Sequence, residues 1–596
     1  MLASFESSIA VYQQRDYMKF SDVAQIFNKI EIISSRLEIT NLLSELLKKS
    51  NPQEAKIIAY FSLGELNPPY VGTKFNFAEK NAIKVITKIL NISEQEIKER
   101  YKEIGDLGSI LEHGSWRISS NLSVEQVYDR LIEIEQISGT GSQDLKQEKV
   151  FQLLKDLDPV SAKYIIRILT ATLRLGFSDM TLIDAFSWMI KGDKSLRKEI
   201  EEQYNLCADI GLVAYNAKMY GEKRIEKRQI KVGIPVRPAA AERLPSAQDV
   251  IDKIGKCIAQ PKLDGFRLQV HLDKTGEKPV VKFFSRNLID MSYMFPDLVE
   301  EVLKIDAKEL ICEGEAVAYD INTGSFVPFQ ETVKRKRKHG IEDAITELPL
   351  KLFLFDLLYL NGKSTLNSTQ IERREKLENL FKNYQPDDIH VIQQKEINNA
   401  SELENYLLEN IQAGLEGVVV KKLDSIYQAG KRNFNWIKLK REVAGHLNDT
   451  IDCVILGYYH GTGKRAQFGI GAFLVGIYNK EKDIFQTIAK VGTGMTDEEW
   501  IDLKKRCDKI KDLIQPTNTI CDKNLSPDVW TYPEIVCTIR ADEITLSPAH
   551  TAGKTEKNLG FALRFPRFIN YRPDKSATES TTIHEVQEMY DLQYKK

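Results

Sequence analysis

The sequence predicts a multidomain protein, with an all-α N-terminal third, an α+β middle and an all-β C-terminal barrel. Three observations predict it. Apolar residues recur at helical spacing through about residue 220. Short apolar runs alternate with turns from about 250 to 440, and glycine turns separate strand-like segments beyond about 447. At 596 residues the chain is too long for a single core. A hydrophobic content of 42% and a charged content of 28% describe an ordinary soluble protein. Net charge is −2, so any affinity for nucleic acid must come from local patches. The N-terminus lacks a basic segment followed by an apolar run, and no apolar stretch reaches membrane-spanning length. Seven dispersed cysteines form no Cys-x-x-Cys pair, which argues against a zinc finger or a disulfide framework. A reduced, cytoplasmic protein is expected.

In the helical third, Val23, Ile26, Phe27 and Ile30 share one face behind Ser21 and Asp22 as caps. Leu42, Leu43, Leu46 and Leu47 repeat the pattern until Asn51-Pro52. Ser93 with Glu96, and Ser123 with Gln126, read as capping boxes. Asp158-Pro159 opens a helix that Gly176 is expected to close, with Lys163, Arg167 and Arg174 on one face. Taken alone, that basic face is a solvated stripe. From Lys223 to Pro245 the chain turns basic and proline-punctuated, as in a connector.

The middle region is organised around Lys262, in Gln260-Pro261-Lys262-Leu263-Asp264-Gly265-Phe266-Arg267. A lysine becomes a nucleophile when nearby cations or desolvation lower its pKa. Once neutral it can attack phosphorus and form a phosphoramidate. Asp264-Gly265 suits the turn that presents it, and Arg267 can hold a phosphate oxygen. A surface hairpin is the bland alternative. Further along, Val280 to Phe284 reads as a strand delivering Ser285-Arg286-Asn287, and Leu310 to Cys312 as one leading to Glu313-Gly314-Glu315. Lys334 to Lys338 are five consecutive cations, most simply an exposed loop. Leu352 to Leu360 is an apolar strand containing Phe355-Asp356, and Glu372-Arg373-Arg374 opens a helix. Glu416-Gly417-Val418-Val419-Val420-Lys421 and Trp436-Ile437-Lys438-Leu439-Lys440 are two more strands, and alternation points Lys438 and Lys440 the same way.

Beyond Leu447, strands are expected over Cys453 to Tyr459, Gly471 to Tyr478, Ile484 to Val491 and Ile535 to Ile539. They suggest a small five-stranded barrel of the OB type, with Gly461 to Gly471 as a basic loop. Thr582 with Glu585, and Ile583, Val586, Met589 and Tyr590, make a closing helix.

These motifs, in this order, resemble the ATP-dependent DNA ligases of archaeal and eukaryotic replicative type, within the covalent nucleotidyltransferases. Lys262 matches the nucleophile of motif I. Arg286, Glu315, Phe355, Glu416 and Lys438 match family positions over about 180 residues, and Leu563-Arg564-Phe565-Pro566-Arg567-Phe568 resembles motif VI. The resemblance implies an all-α DNA-binding domain (1–222), a linker (223–245), an α+β adenylation domain (246–446), an all-β OB-fold domain (447–580) and a C-terminal helix (581–596). It implies that Gln260, Arg267, Arg286, Glu315, Phe355, Arg432, Lys438 and Lys440 bind ATP, and that Glu315 and Glu416 serve Mg²⁺ or another divalent cation. Lys163, Arg167, Arg174, Arg335 and Arg337 are implied DNA contacts, and Arg564 is implied to orient pyrophosphate. Glu313 stands where the family usually has aspartate, and Gln260 where it commonly has glutamate.

The implied activity is sealing of 5′-phosphate/3′-hydroxyl nicks in duplex DNA through lysyl-AMP and DNA-adenylate. Nicked DNA is the implied partner and a monomer the expected state. A sliding clamp is a further candidate partner, although no clamp-binding peptide is evident. An RNA ligase or GTP-using capping enzyme shares motif I, but the long helical region argues against both. A noncatalytic nick-binding clamp should have lost Lys262, Glu315 or Glu416, and the missing four-cysteine finger argues against the NAD-dependent class.

Overall fold

A computed structural model describes residues 17–594, apart from 34, 118–120, 174, 225–229, most of 320–346, 383–385, 441–449, 462, 513 and 557. The chain forms two compact units: Met1–Asn76, Ile118–Ser161 and Leu175–Arg441, and Phe77–Arg117, Ala162–Arg174 and Glu442–Lys596.

The first helix, Phe20–Glu31, buries Phe20, Val23, Phe27 and Ile30 as its periodicity requires. Lys19 is its N-cap, so Ser21 and Asp22 lie inside the first turn. Asn51-Pro52 both ends Arg36–Lys49 and starts Pro52–Phe61, where Asn51 and Glu54 form a capping box. Ser123 and Gln126 cap Val124–Gln136 reciprocally. Ser93 accepts from the Glu96 amide at the start of Glu94–Ile104. Asp158 caps Pro159–Leu169. That helix stops seven residues before Gly176, where Ala171 turns left-handed (φ +53°). Arg174, expected on the same face, lies outside the described residues.

Two sheets follow within the first unit. The strands of the first are β1 (Ala240–Arg243), β2 (Cys257–Pro261), β9 (Lys395–Ile397), β10 (Gly417–Lys422) and β11 (Arg432–Lys440), in the order β1-β11-β10-β2-β9. The second runs β4 (Val280–Ser285), β3 (Phe266–Asp273), β5 (Glu309–Ala318), β6 (Leu350–Leu360) and β7 (Lys363–Ser364), with β8 (Ile389–Val391) beside β6. Alternation assigns the faces. Ala259, Val418, Val420, Ile437 and Leu439 fill one core, and Leu268, Val270, Cys312, Leu352 and Leu354 another. The intervening residues of β2, β10, β11, β5 and β6 are left to face a cleft.

The expected linker is only partly one. Residues 225–229 are not described, but Val236 exchanges two hydrogen bonds with the Gln269 side chain (2.8 and 2.9 Å). Gly233 N–H donates to His271 Nδ1 (3.0 Å), and β1 pairs with β11. Burial lowers the His271 pKa to about 3, which keeps the ring neutral and Nδ1 able to accept. The connector is stitched to the back of β3.

In the second unit the β-rich segment comprises β12 (Ile451–Tyr459), β13 (Ala472–Asn479), β14 (Ile484–Val491), β15 (Lys511–Asp512), β16 (Thr519–Ile520), β17 (Val529–Thr531), β18 (Val536–Arg540), β19 (Glu543–Ser547), β20 (Gly560–Arg564) and β21 (Arg567–Tyr571). Eight of these strands join in one sheet, and β19–β20 form a hairpin. The architecture is OB-like, with more strands than the five expected. The closing helix, Ile583–Tyr594, is capped by Thr582 and Glu585 and packs Val586 into the core.

Candidate active site

Lys262 stands where the chain leaves β2 of the first sheet and crosses to β3 of the second. Its backbone is fixed from both sides: Lys262 N–H donates to Gly417 O (2.8 Å) and Glu416 N–H to Lys262 O (3.3 Å). Gly265, in the turn, lies so close to β5 that an added Cβ would be 2.3 Å from the Ala316 carbonyl oxygen. Gly417 (φ +142°) is constrained likewise, 2.4 Å from Leu439 O. Both glycines are required by close backbone approach.

The Lys262 ammonium meets Glu416 Oε2, and Lys440 Nζ lies 2.7 Å from Glu416 Oε1. Burial, then the Lys440 charge and more weakly Lys438, lower the Lys262 pKa to about 8, against Glu315 and Asp264, which raise it. The Lys438 pKa is also lowered, by burial and by Arg432, Lys440, Arg286 and Arg243. This is the electrostatic setting a nucleophilic lysine needs. Glu315, on β5, accepts from Gly265 N–H (3.2 Å). Burial raises its pKa to about 7, although Arg267 and Lys262 favour the charged form.

Lys262, Gln260, Arg286, Glu315, Phe355, Glu416, Lys438 and Lys440 all line one cleft of about 810 Å³. Arg432 opens β11 on the same face, close enough to act on Lys438. Phe355 lies edge-on to Trp436, centroids 6.0 Å apart. Beneath them Lys421 is buried, its Nζ 4.2 Å from the Trp436 centroid, and donates to Phe355 O (2.8 Å). Burial lowers the Lys421 pKa to about 8, against Asp356. Trp436, Val419 and Lys421 belong to the cleft but were not among the expected residues. The alternation that paired Lys438 with Lys440 also places Trp436 on their face, and sets Val419 and Lys421 opposite Val418 and Val420.

Several expected contacts are engaged elsewhere. The Arg267 guanidinium binds Glu313 bidentately (2.9 and 3.1 Å) and the Ala239 carbonyl (2.8 Å), so those nitrogens do not present themselves to phosphate. Glu313, 1% exposed, also accepts from Tyr427 (2.9 Å), which gives it an anchoring role. Gln260 is buried on β2, with Nε2 3.4 Å from Gln394 Oε1. Lys163 and Arg167 do not form an open basic stripe. They are 3% and 7% exposed, and pair with Glu112 (2.8 Å) and Asp106. Arg335 is likewise buried and grips Asp297 (2.7 and 2.8 Å). Arg337 lies outside the described residues. Arg564 ends β20, half-exposed and 2.7 Å from Glu543.

The family model for the ATP-dependent DNA ligase domain matches residues 238–440, that for the DNA ligase N terminus 19–187, and that for the ATP-dependent DNA ligase C-terminal region 466–575. A probable DNA ligase of Dictyoglomus turgidum is 43% identical over 581 residues, covering 97% of this chain and 98% of the relative. A DNA ligase of Nitrosopumilus maritimus is 39% identical over 594 residues, covering 97% and 99%. A solved structure named Pmar-Lig_PreS3 has the same fold, at TM-score 0.52 and 18% identity, covering 92% of this chain and 99% of that one. With Lys262, Glu315, Glu416 and Phe355 gathered in one cleft, and relatives matching along nearly the whole chain, the protein belongs to the ATP-dependent DNA ligase family.

Proposed function

We propose that the protein seals 5′-phosphate/3′-hydroxyl nicks in duplex DNA by three successive phosphoryl-type transfers, serving replication, repair and recombination as a cytoplasmic monomer. The observation that carries this reading is Lys262, held at the head of a cleft with its pKa lowered to about 8. In the first step neutral Lys262 Nζ attacks the α-phosphorus of ATP. A P–N bond forms, the α–β bridging P–O bond breaks, pyrophosphate leaves with the electron pair, and the nitrogen releases one proton to water. Lys438, Lys440 and Arg286 neutralise the phosphates, a positioning role that supplies most of the rate in such transfers. Phe355 offers a flat face to the base, with Trp436 packed edge-on beside it. The AMP then passes to the 5′-phosphate at the nick, and the 3′-hydroxyl displaces it. Nicked duplex is the proposed partner, and a sliding clamp remains a candidate for a further one.

Glu315 and Glu416 are the carboxylates suited to a divalent cation. Among the described residues no cluster of three or more His, Cys, Asp or Glu surrounds them. Two carboxylates completed by phosphate oxygens are what Mg²⁺ accepts, and both Glu315 and Glu416 line the cleft. Such a cation would neutralise charge on the phosphates. The direct test is incubation with α-labelled ATP, then with nicked duplex. Label on Lys262 and its loss on sealing are expected; absence of covalent label in active protein would refute the reading.

Labelling should depend on pH. Below about pH 8 the neutral fraction of Lys262 grows tenfold per unit. The single-turnover labelling rate should therefore rise about tenfold from pH 6 to 7 and level above 8. A flat profile across that range would show that lysine deprotonation does not limit the step.

Gln260 yields a prediction about the base. Its amide can accept from an adenine amino group or donate to guanine O6, whereas a glutamate only accepts. Gln260→Glu should raise the ATP-to-GTP ratio of labelling efficiencies by about fivefold, the worth of one hydrogen bond. An unchanged ratio would mean that the side chain does not read the base.

A further inference from the structure

One cation at the cleft comes from outside the two sheets. Lys74 lies in the segment between the helices Pro52–Phe61 and Glu79–Leu90, far from Lys262 in sequence, yet it lines the same cleft. The segment is built to hold its place. Thr73 Oγ1 accepts from Leu66 N–H (2.9 Å), Tyr128 O–H donates to Leu66 O (3.1 Å), and Lys74 N–H donates to Glu135 (2.7 Å). Lys146, 2% exposed, donates to the Phe75 carbonyl, and Gln143 to that of Asn76 (3.3 Å). Tyr70 sets the segment against β4, its ring edge-on to Phe284, centroids 6.4 Å apart. Phe284 is two residues from Arg286, itself a lining residue. Lys262 and Lys440 share Glu416, whereas among the described residues the exposed Lys74 ammonium forms no ion pair.

A buttressed segment that presents an unneutralised cation to the cleft that Arg286 also lines is arranged to meet an anion. We infer that Lys74 binds a substrate phosphate and is a further contact of the active site, contributed by the helical region. The phosphate belongs either to the triphosphate of ATP or to the 5′ end of the nick. The inference rests on the reading of the cleft given above.

Full-length wild type, Lys74→Ala and Lys74→Arg should be compared in two assays: covalent labelling as a function of ATP concentration, and sealing of a chemically pre-adenylylated nick. Lys74→Ala is expected to raise the half-saturating ATP concentration about tenfold, the effect of losing one charge-assisted hydrogen bond, while Lys74→Arg stays near wild type. If labelling is unchanged but the pre-adenylylated nick is sealed more slowly, and the salt slope of nick binding falls by about one, the phosphate bound is the DNA's. Indifference in both assays overturns the inference. So does equal loss in the arginine and alanine variants, since charge would then not be what matters. Wild type that takes no label would refute the active-site reading itself, whereas labelled wild type with an indifferent alanine variant refutes the Lys74 inference alone.

Discussion

In Lys262→Ala, covalent AMP on the protein should fall by four orders of magnitude or more, because no other group at the cleft can replace the attacking nitrogen. Lys440 and Lys438 lie close by, but they are carried on β11, whereas Lys262 heads the β2–β3 crossing. Lys262→Arg should fail as completely, since a guanidinium does not lose its proton in the working pH range. The same alanine variant should seal a pre-adenylylated nick within about tenfold of wild type, because that step uses no lysine nucleophile. Gel detection of labelled protein and of ligated strand separates the two outcomes. Covalent AMP at wild-type levels in the alanine variant would remove Lys262 from its assigned place.

Asp356→Ala should produce the largest loss of stability. Asp356 and Arg373 are both fully buried and joined at 2.7 and 3.1 Å, with Lys421 Nζ 3.6 Å from the same carboxylate. Burial would raise the Asp356 pKa, yet Arg373 and Lys421 hold it below the ordinary value. Removing the carboxylate leaves two buried cations facing each other without compensation, at a cost of about 3–5 kcal/mol. Thermal unfolding of the unit should shift by about 5 °C, read by calorimetry or circular dichroism. Asp356→Asn, which keeps the volume and some hydrogen bonding, should lie between wild type and alanine. A shift of only one or two degrees in the alanine variant would mean that the cluster is not a stability centre.

The sequence made these cleft residues legible because each sits in a short local pattern: a turn for Lys262, a strand for Glu315, an alternation for Lys438 and Lys440. What it hid is pairing between distant segments. The spacing of Lys163 and Arg167 sets their shared face but not what covers it, and Asp106 and Glu112 lie more than fifty residues away. Arg267 beside a glycine turn reads as a phosphate ligand. Its engagement by Glu313 depends on the adjacency of β3 and β5, which no local signal reports. The connector was misjudged for the same reason. Its basic, proline-rich composition suits a tether, but the buried side chains of Gln269 and His271 need its backbone as a partner. Five strands suffice for the apolar pattern near the C-terminus, whereas two-residue strands such as β15 and β16 are too short to leave a periodic trace.

The crossing at Lys262 has a mechanical consequence. Lys262 belongs to the first sheet, tied by its backbone to β10, while Phe355 and Glu315 belong to the second. An AMP attached to Lys262, with its base at Phe355 and its ribose at Glu315, would span the seam and act as a removable cross-brace. The charged enzyme would then be the stiffer form, its two halves clamped by the cargo it carries, and delivery of that cargo would loosen the joint through which the next ATP must enter.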